Sequence, residues 1–142
     1  MNKATGLMIV PELMFKTFYR HELEREGVEL TSVQTVPCAI EKLRAQEFDL
    51  VLMDIDRQSS VTARLGLQRL RDSTKTSLIV LGSFEAMSDL LNESKSEAGE
   101  IPQAPRADAF VIKDTSLSEL RIALDELLPT RTKSLSSVYY SL

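Results

Sequence analysis

Leu50-Val51-Leu52-Met53 is an unbroken apolar run that stops on Asp54. A strand apolar at every position has no solvent face, so it belongs in the middle of a parallel sheet covered on both sides. Helices supply those covers, which places the chain in the α/β class. Asp54 gains a special position from the same inference. Open α/β sheets carry their sites outside the carboxyl ends of the strands, and a carboxylate directly after such a strand lies there.

The rest of the chain alternates accordingly. Leu7 to Val10 reads as a strand closed by Pro11, and Leu13 to Glu26 as a helix with Gly27 as its C-cap. Val28 to Val36 suggests an edge-side strand, and Pro37 opens a helix that runs to about Gln46 and buries Ala39, Ile40 and Leu43. A polar loop is expected from Asp56 to Thr62, then a helix carrying Leu65, Leu67 and Leu70 as far as Asp72. Leu78 to Leu81 and Ala109 to Ile112 are two more strands, separated by a helix from about Glu85 to Leu91. The segment from Asn92 to Arg106 has little to bury and reads as a loop or extended helix end. A last helix, capped by Ser116 or Ser118, presents Leu120, Ala123, Leu124, Leu127 and Leu128. Five such repeats predict a parallel five-stranded sheet between two helical layers. The flavodoxin-like order 2-1-3-4-5 brings Pro11, Glu12 and Asp54 to one switch point.

Bulk properties narrow the function. At 142 residues the chain is one domain, spanning 1–128, with a Ser/Thr-rich tail or linker over 129–142. A net charge of −4 argues against direct nucleic-acid binding, which generally needs a basic face. No apolar run approaches the roughly 20 residues of a membrane helix, and the N-terminus has no signal-peptide core. One cysteine, Cys38, excludes an internal disulfide and fits a reducing, cytoplasmic setting; a small buried thiol is expected. His21, between Arg20 and Glu22, reads as a surface residue. Nothing resembles a Gly-rich phosphate loop, a Gly-x-Ser-x-Gly elbow or a paired-histidine metal site, so an enzyme is not expected.

Three strand ends share one chemistry. Phe48-Asp49-Leu50-Val51-Leu52-Met53-Asp54-Ile55-Asp56, Leu78 through Ser83, and Arg106 through Asp114 resemble the third, fourth and fifth strands of response-regulator receiver (CheY-like) domains. The resemblance covers about Leu7 to Leu128, and Lys113-Asp114 is similar to receivers of LuxR-type DNA-binding regulators. It implies Asp54 as phospho-acceptor, Ser83 as switch hydroxyl, Lys113 as the phosphoryl contact and Phe110 as the switch aromatic. It further implies Mg²⁺ held by Glu12, Asp54 and the backbone carbonyl of Asp56. The implied partners are a histidine kinase or phosphotransfer protein, a downstream protein target and a second copy of the chain.

Departures from the family pattern leave two functions open. Pro11-Glu12 stands where receivers carry an acidic pair, so one carboxylate is missing and Mg²⁺ affinity should fall. The loop after Asp54 carries Arg57-Gln58-Ser59-Ser60, and Phe110 lacks the hydroxyl of a tyrosine. One reading is a receiver phosphorylated on Asp54 that switches a protein-interaction surface. The alternative is a phosphorylation-independent pseudo-receiver that serves as a protein-binding module.

Overall fold

The structure, a computed structural model, describes residues 4–10, 20–56, 58–92, 106–113 and 118–128. Five parallel strands form one sheet: β1 (Ala4–Ile9), β2 (Val28–Val33), β3 (Leu50–Asp54), β4 (Ser77–Gly82) and β5 (Ala109–Ile112). Their order is 2-1-3-4-5, as expected. The helices are α1 (described over 20–25), α2 (Val36–Ala45), α3 (Ser60–Ser73), α4 (Phe84–Asn92) and α5 (Ser118–Leu127).

The apolar run of β3 is buried at every position because its side chains alternate between two cores. Leu50 and Leu52 join Leu23, Leu120, Ala123 and Leu124 of α1 and α5. Val51 and Met53 join Ala39 of α2, Leu67 and Leu70 of α3, and Met87 and Leu90 of α4. Burying each such leucine contributes roughly 2 kcal/mol. The central strand is therefore pinned on both faces, and a one-residue slip would exchange the two sets.

Several expectations shift in detail. β2 ends at Val33 because the Thr35 hydroxyl accepts the Cys38 N–H at 3.3 Å and caps α2. The stretch read as loop through Thr62 is helical from Ser60, since Ser59 Oγ accepts the Thr62 N–H at 3.1 Å and starts α3. On α3 the buried stripe is Ala63, Gly66, Leu67 and Leu70, while Leu65 stands in solvent. Cys38 is exposed rather than buried: in the first turn of α2, Ala39 takes the core-facing position. Gly27, expected as a C-cap, sits in the turn after α1 at φ +86°, a conformation glycine adopts without steric penalty. His21 is exposed, as expected. The Leu13–Tyr19 part of the first expected helix, Pro11, Glu12, Arg57, most of the 92–106 segment, Asp114, Ser116 and the 129–142 tail lie outside the described residues.

Register sets what meets at the carboxyl edge. Asp54 pairs with Leu81, and Gly82 with Ile112. Pairing continues past the regular strands, with Ile55 N–H donating to Leu81 O at 2.9 Å and Lys113 N–H donating to Gly82 O at 2.9 Å. The residues just beyond β3, β4 and β5 are thereby held side by side. Among the described residues no helix is long and apolar enough to cross a membrane.

Candidate functional site

Asp54, Asp56, Ser83 and Lys113 form one connected cluster at that edge. Asp54 is only 2% exposed, because it is the last residue of the central strand. Its Oδ1 accepts the Asp56 N–H at 2.9 Å, and its Oδ2 lies 2.5 Å from Lys113 Nζ. The Gln58 side-chain amide donates to the Asp54 backbone carbonyl at 2.8 Å, which ties the following loop back onto the strand end.

Asp56 is the second carboxylate of the cluster. The chain turns just after β3, and the Asp56 N–H bond to Asp54 Oδ1 brings the two carboxylates to the same side. Asp56 Oδ1 accepts the Ser83 N–H at 2.8 Å, and Oδ2 pairs with Lys113 Nζ at 2.8 Å. One ammonium therefore serves two carboxylates. The Ser83 hydroxyl accepts the Ala86 N–H at 3.1 Å, which caps α4 and couples the cluster to that helix.

Gly82 allows the strand ends to close this tightly. A Cβ there would lie 2.7 Å from Ile55 Cγ1 and 3.6 Å from Asp56 Oδ1, so any side chain would force the buried Ile55 side chain to shift. Phe110, on β5, is part-buried against the core shared by α2, α3 and α4.

The two carboxyls respond differently to these surroundings. Burial raises the Asp54 carboxyl above the ordinary aspartate range, and the hydrogen bond and charge of Lys113 only partly oppose it. For Asp56, burial also works upward, but hydrogen bonds from Lys113 and from the Ser83 backbone, with the lysine charge, outweigh it and lower the carboxyl. With both ionised, the trio of Asp54, Asp56 and Lys113 retains one uncompensated negative charge. That excess charge, the hard oxygen atoms of Asp54 and the Asp56 carbonyl suit Mg²⁺. Glu12, the third expected donor, lies outside the described residues, and no group of three acidic, His or Cys side chains gathers among those described.

Sequence reasoning had marked Asp54, Ser83 and Lys113 from their places after apolar strands, and all three converge. It gave Asp56 a backbone role and missed that its side chain bonds both Lys113 and Ser83. The Asp-x-Asp spacing after a buried strand is the signal that could have found it. From the sequence Gln58 is only a polar loop residue; no spacing rule forecasts a side chain that folds back onto a strand-end carbonyl.

No protein-family model matches the sequence, and no curated protein matches it significantly. Solved structures do. The response regulator TrrA of Thermotoga maritima, in complex with Mg²⁺–BeF, superposes with a TM-score of 0.68 at 23% identity, covering 88% of this chain and 99% of that one. A CheY-like receiver domain from Methylobacillus flagellatus gives 0.67 at 14% identity, over 89% of this chain and 99% of its own. TrrA bound to the histidine kinase ThkA gives 0.66 at 20% identity, over 88% and 98%. The chain has the flavodoxin-like fold of these receiver domains.

Proposed function

We propose that the chain is a signalling receiver that takes a phosphoryl group on Asp54 from a histidine kinase or phosphotransfer protein. The observation that carries this reading is the convergence of a strand-end carboxylate, a lysine ammonium and a serine at one edge of a receiver-like sheet. Asp54 supplies the nucleophile: a carboxylate oxygen forms the new O–P bond as the donor's P–N bond breaks and its electron pair returns to the imidazole nitrogen. Lys113 is placed to hold a phosphoryl oxygen, and the Ser83 hydroxyl to meet another. Mg²⁺ bound beside Asp54 would neutralise phosphoryl charge. The kinase complex of TrrA, on the same fold, supports a kinase as donor.

Output follows from the second bond of Ser83. Its hydroxyl holds the first turn of α4 through the Ala86 N–H, so turning toward a phosphoryl oxygen releases that cap. Phe84, 69% exposed at the start of α4, would then change setting and offer a docking surface to a target or a second copy.

The alternative reading is a binding module that works without phosphorylation. It draws on Asp56, which already gives Ser83 and Lys113 an anionic partner. Acetyl phosphate with Mg²⁺, followed by intact mass, separates the two. A gain of one phosphoryl group that is absent in Asp54→Asn supports the receiver. An unchanged mass at saturating Mg²⁺ supports the binding module.

A further inference from the structure

Two donors beside Asp54 that suit a phosphoryl group, the Lys113 ammonium and the Ser83 backbone N–H, are already engaged by an anion of the chain itself. Lys113 Nζ lies 2.8 Å from Asp56 Oδ2, and the Ser83 N–H donates to Asp56 Oδ1 at 2.8 Å. A carboxylate and a phosphoryl group present similar charged oxygens, and both take short charge-assisted hydrogen bonds from ammonium and backbone N–H donors. The Ser83 N–H carries one hydrogen and cannot serve both, and two carboxylates already share the Lys113 ammonium.

Position strengthens the point. The Asp56 side chain is 20% exposed against 2% for Asp54, so Asp56 is the outer carboxylate of the pair. An anionic phosphoryl donor approaching Asp54 meets this charge first, where partial burial reduces screening.

We propose that the Asp56 carboxylate is an internal occupant of the phosphoryl position, and that Asp54 accepts a phosphoryl group only as Asp56 leaves Ser83 and Lys113. The proposal rests on the receiver reading above and adds a positioning residue that gates it. While seated, Asp56 keeps Lys113 and Ser83 in an anion-bound arrangement; once displaced, it frees both for the group arriving on Asp54. Its own N–H can stay on Asp54 Oδ1 during that exchange, because only the side chain has to turn.

The test compares wild type, Asp56→Asn and Asp56→Ala for labelling by acetyl phosphate at Mg²⁺ concentrations saturating for each, with folding confirmed by ¹⁵N–¹H spectra. Both variants are expected to label at least about five-fold faster than wild type, since each removes the competing charge. Adding Asp54→Asn to either should abolish labelling. Rates equal to or below wild type in the folded variants overturn the gate and leave the receiver reading intact. If no protein labels, wild type included, the receiver reading fails, and occupancy is decided by titration with inorganic phosphate. Movement of the Ser83 amide in Asp56→Ala but not in wild type then supports the occupant, and an unmoved amide in both overturns it.

Discussion

Lys113→Met removes the only positive charge in the described cluster and tests how the cluster is held together. Lys113 Nζ contacts Asp54 Oδ2 at 2.5 Å and Asp56 Oδ2 at 2.8 Å, and its side chain is only 10% exposed. Breaking a buried ion pair from one side costs about 3–5 kcal/mol, because the remaining charge is left uncompensated. Two carboxylates would face each other here, but Asp54 can take up a proton and relieve part of the cost, so about 3 kcal/mol is expected near neutral pH. At roughly 3 °C per kcal/mol for a domain of this size, the melting temperature should fall by about 10 °C. The pH dependence has a definite sign. Asp54 is already raised by burial, and loss of Lys113 raises it further. A carboxyl whose folded value exceeds its unfolded value of about 3.9 adds stability below that value and loses it as pH rises through the folded one. The deficit should therefore be smaller near pH 4.5 than at pH 8. Urea unfolding of wild type, Lys113→Met and Lys113→Met/Asp54→Asn at both pH values measures it, and the double variant should recover most of the loss. A deficit under about 1 kcal/mol at pH 8, or one that does not shrink on acidification, would refute the reasoning.

Asp54→Asn alone should stabilise the fold by about 1 kcal/mol at pH 7, since it removes a carboxylate whose burial outweighs its pairing and leaves Asp56 and Lys113 balanced; a lower urea midpoint would contradict this. Gly82→Ala should cost about 1–3 kcal/mol, because the new methyl meets Ile55 Cγ1 at 2.7 Å. Its spectra should show the amides of Asp56 and Ser83 displaced, and unchanged resonances there would mean the loop closes without help from the glycine. Cys38, exposed on α2, should react with a thiol reagent in the folded protein at nearly the rate seen in urea. Protection of the native thiol would show that the helix start is covered.

The architecture was legible because one strand left no choice. An apolar run too short for a membrane and bounded by polar residues had to be a central parallel strand, and Leu50 through Met53 are buried in two alternating cores as that requires. Local caps were harder to read. Ser59 and Ser60 look alike as loop residues, and only the Ser59 hydroxyl on the Thr62 N–H decides where α3 begins. Leu65 and Cys38 were misplaced for a related reason. A helix turns about 100° per residue, so Leu65 points well away from Leu67 and cannot share the face that Ala63, Gly66, Leu67 and Leu70 bury, just as Cys38 lies one step off the core-facing Ala39. At the site, strand ends foretold which residues meet but not how they share hydrogen bonds. That Asp56 takes both Lys113 and Ser83 depends on the close approach Gly82 permits, a tertiary fact with no local pattern.

The most direct test of a phosphoryl-accepting site built from Asp54, Ser83 and Lys113 is a ¹⁵N–¹H titration with Mg²⁺ and beryllofluoride, run on wild type and Asp54→Asn. Saturating shifts at the Ser83, Phe84 and Lys113 amides in wild type, spreading into α4 and absent from the variant, are the expected result. Amides that stay in place in wild type, or that move equally in Asp54→Asn, would contradict it.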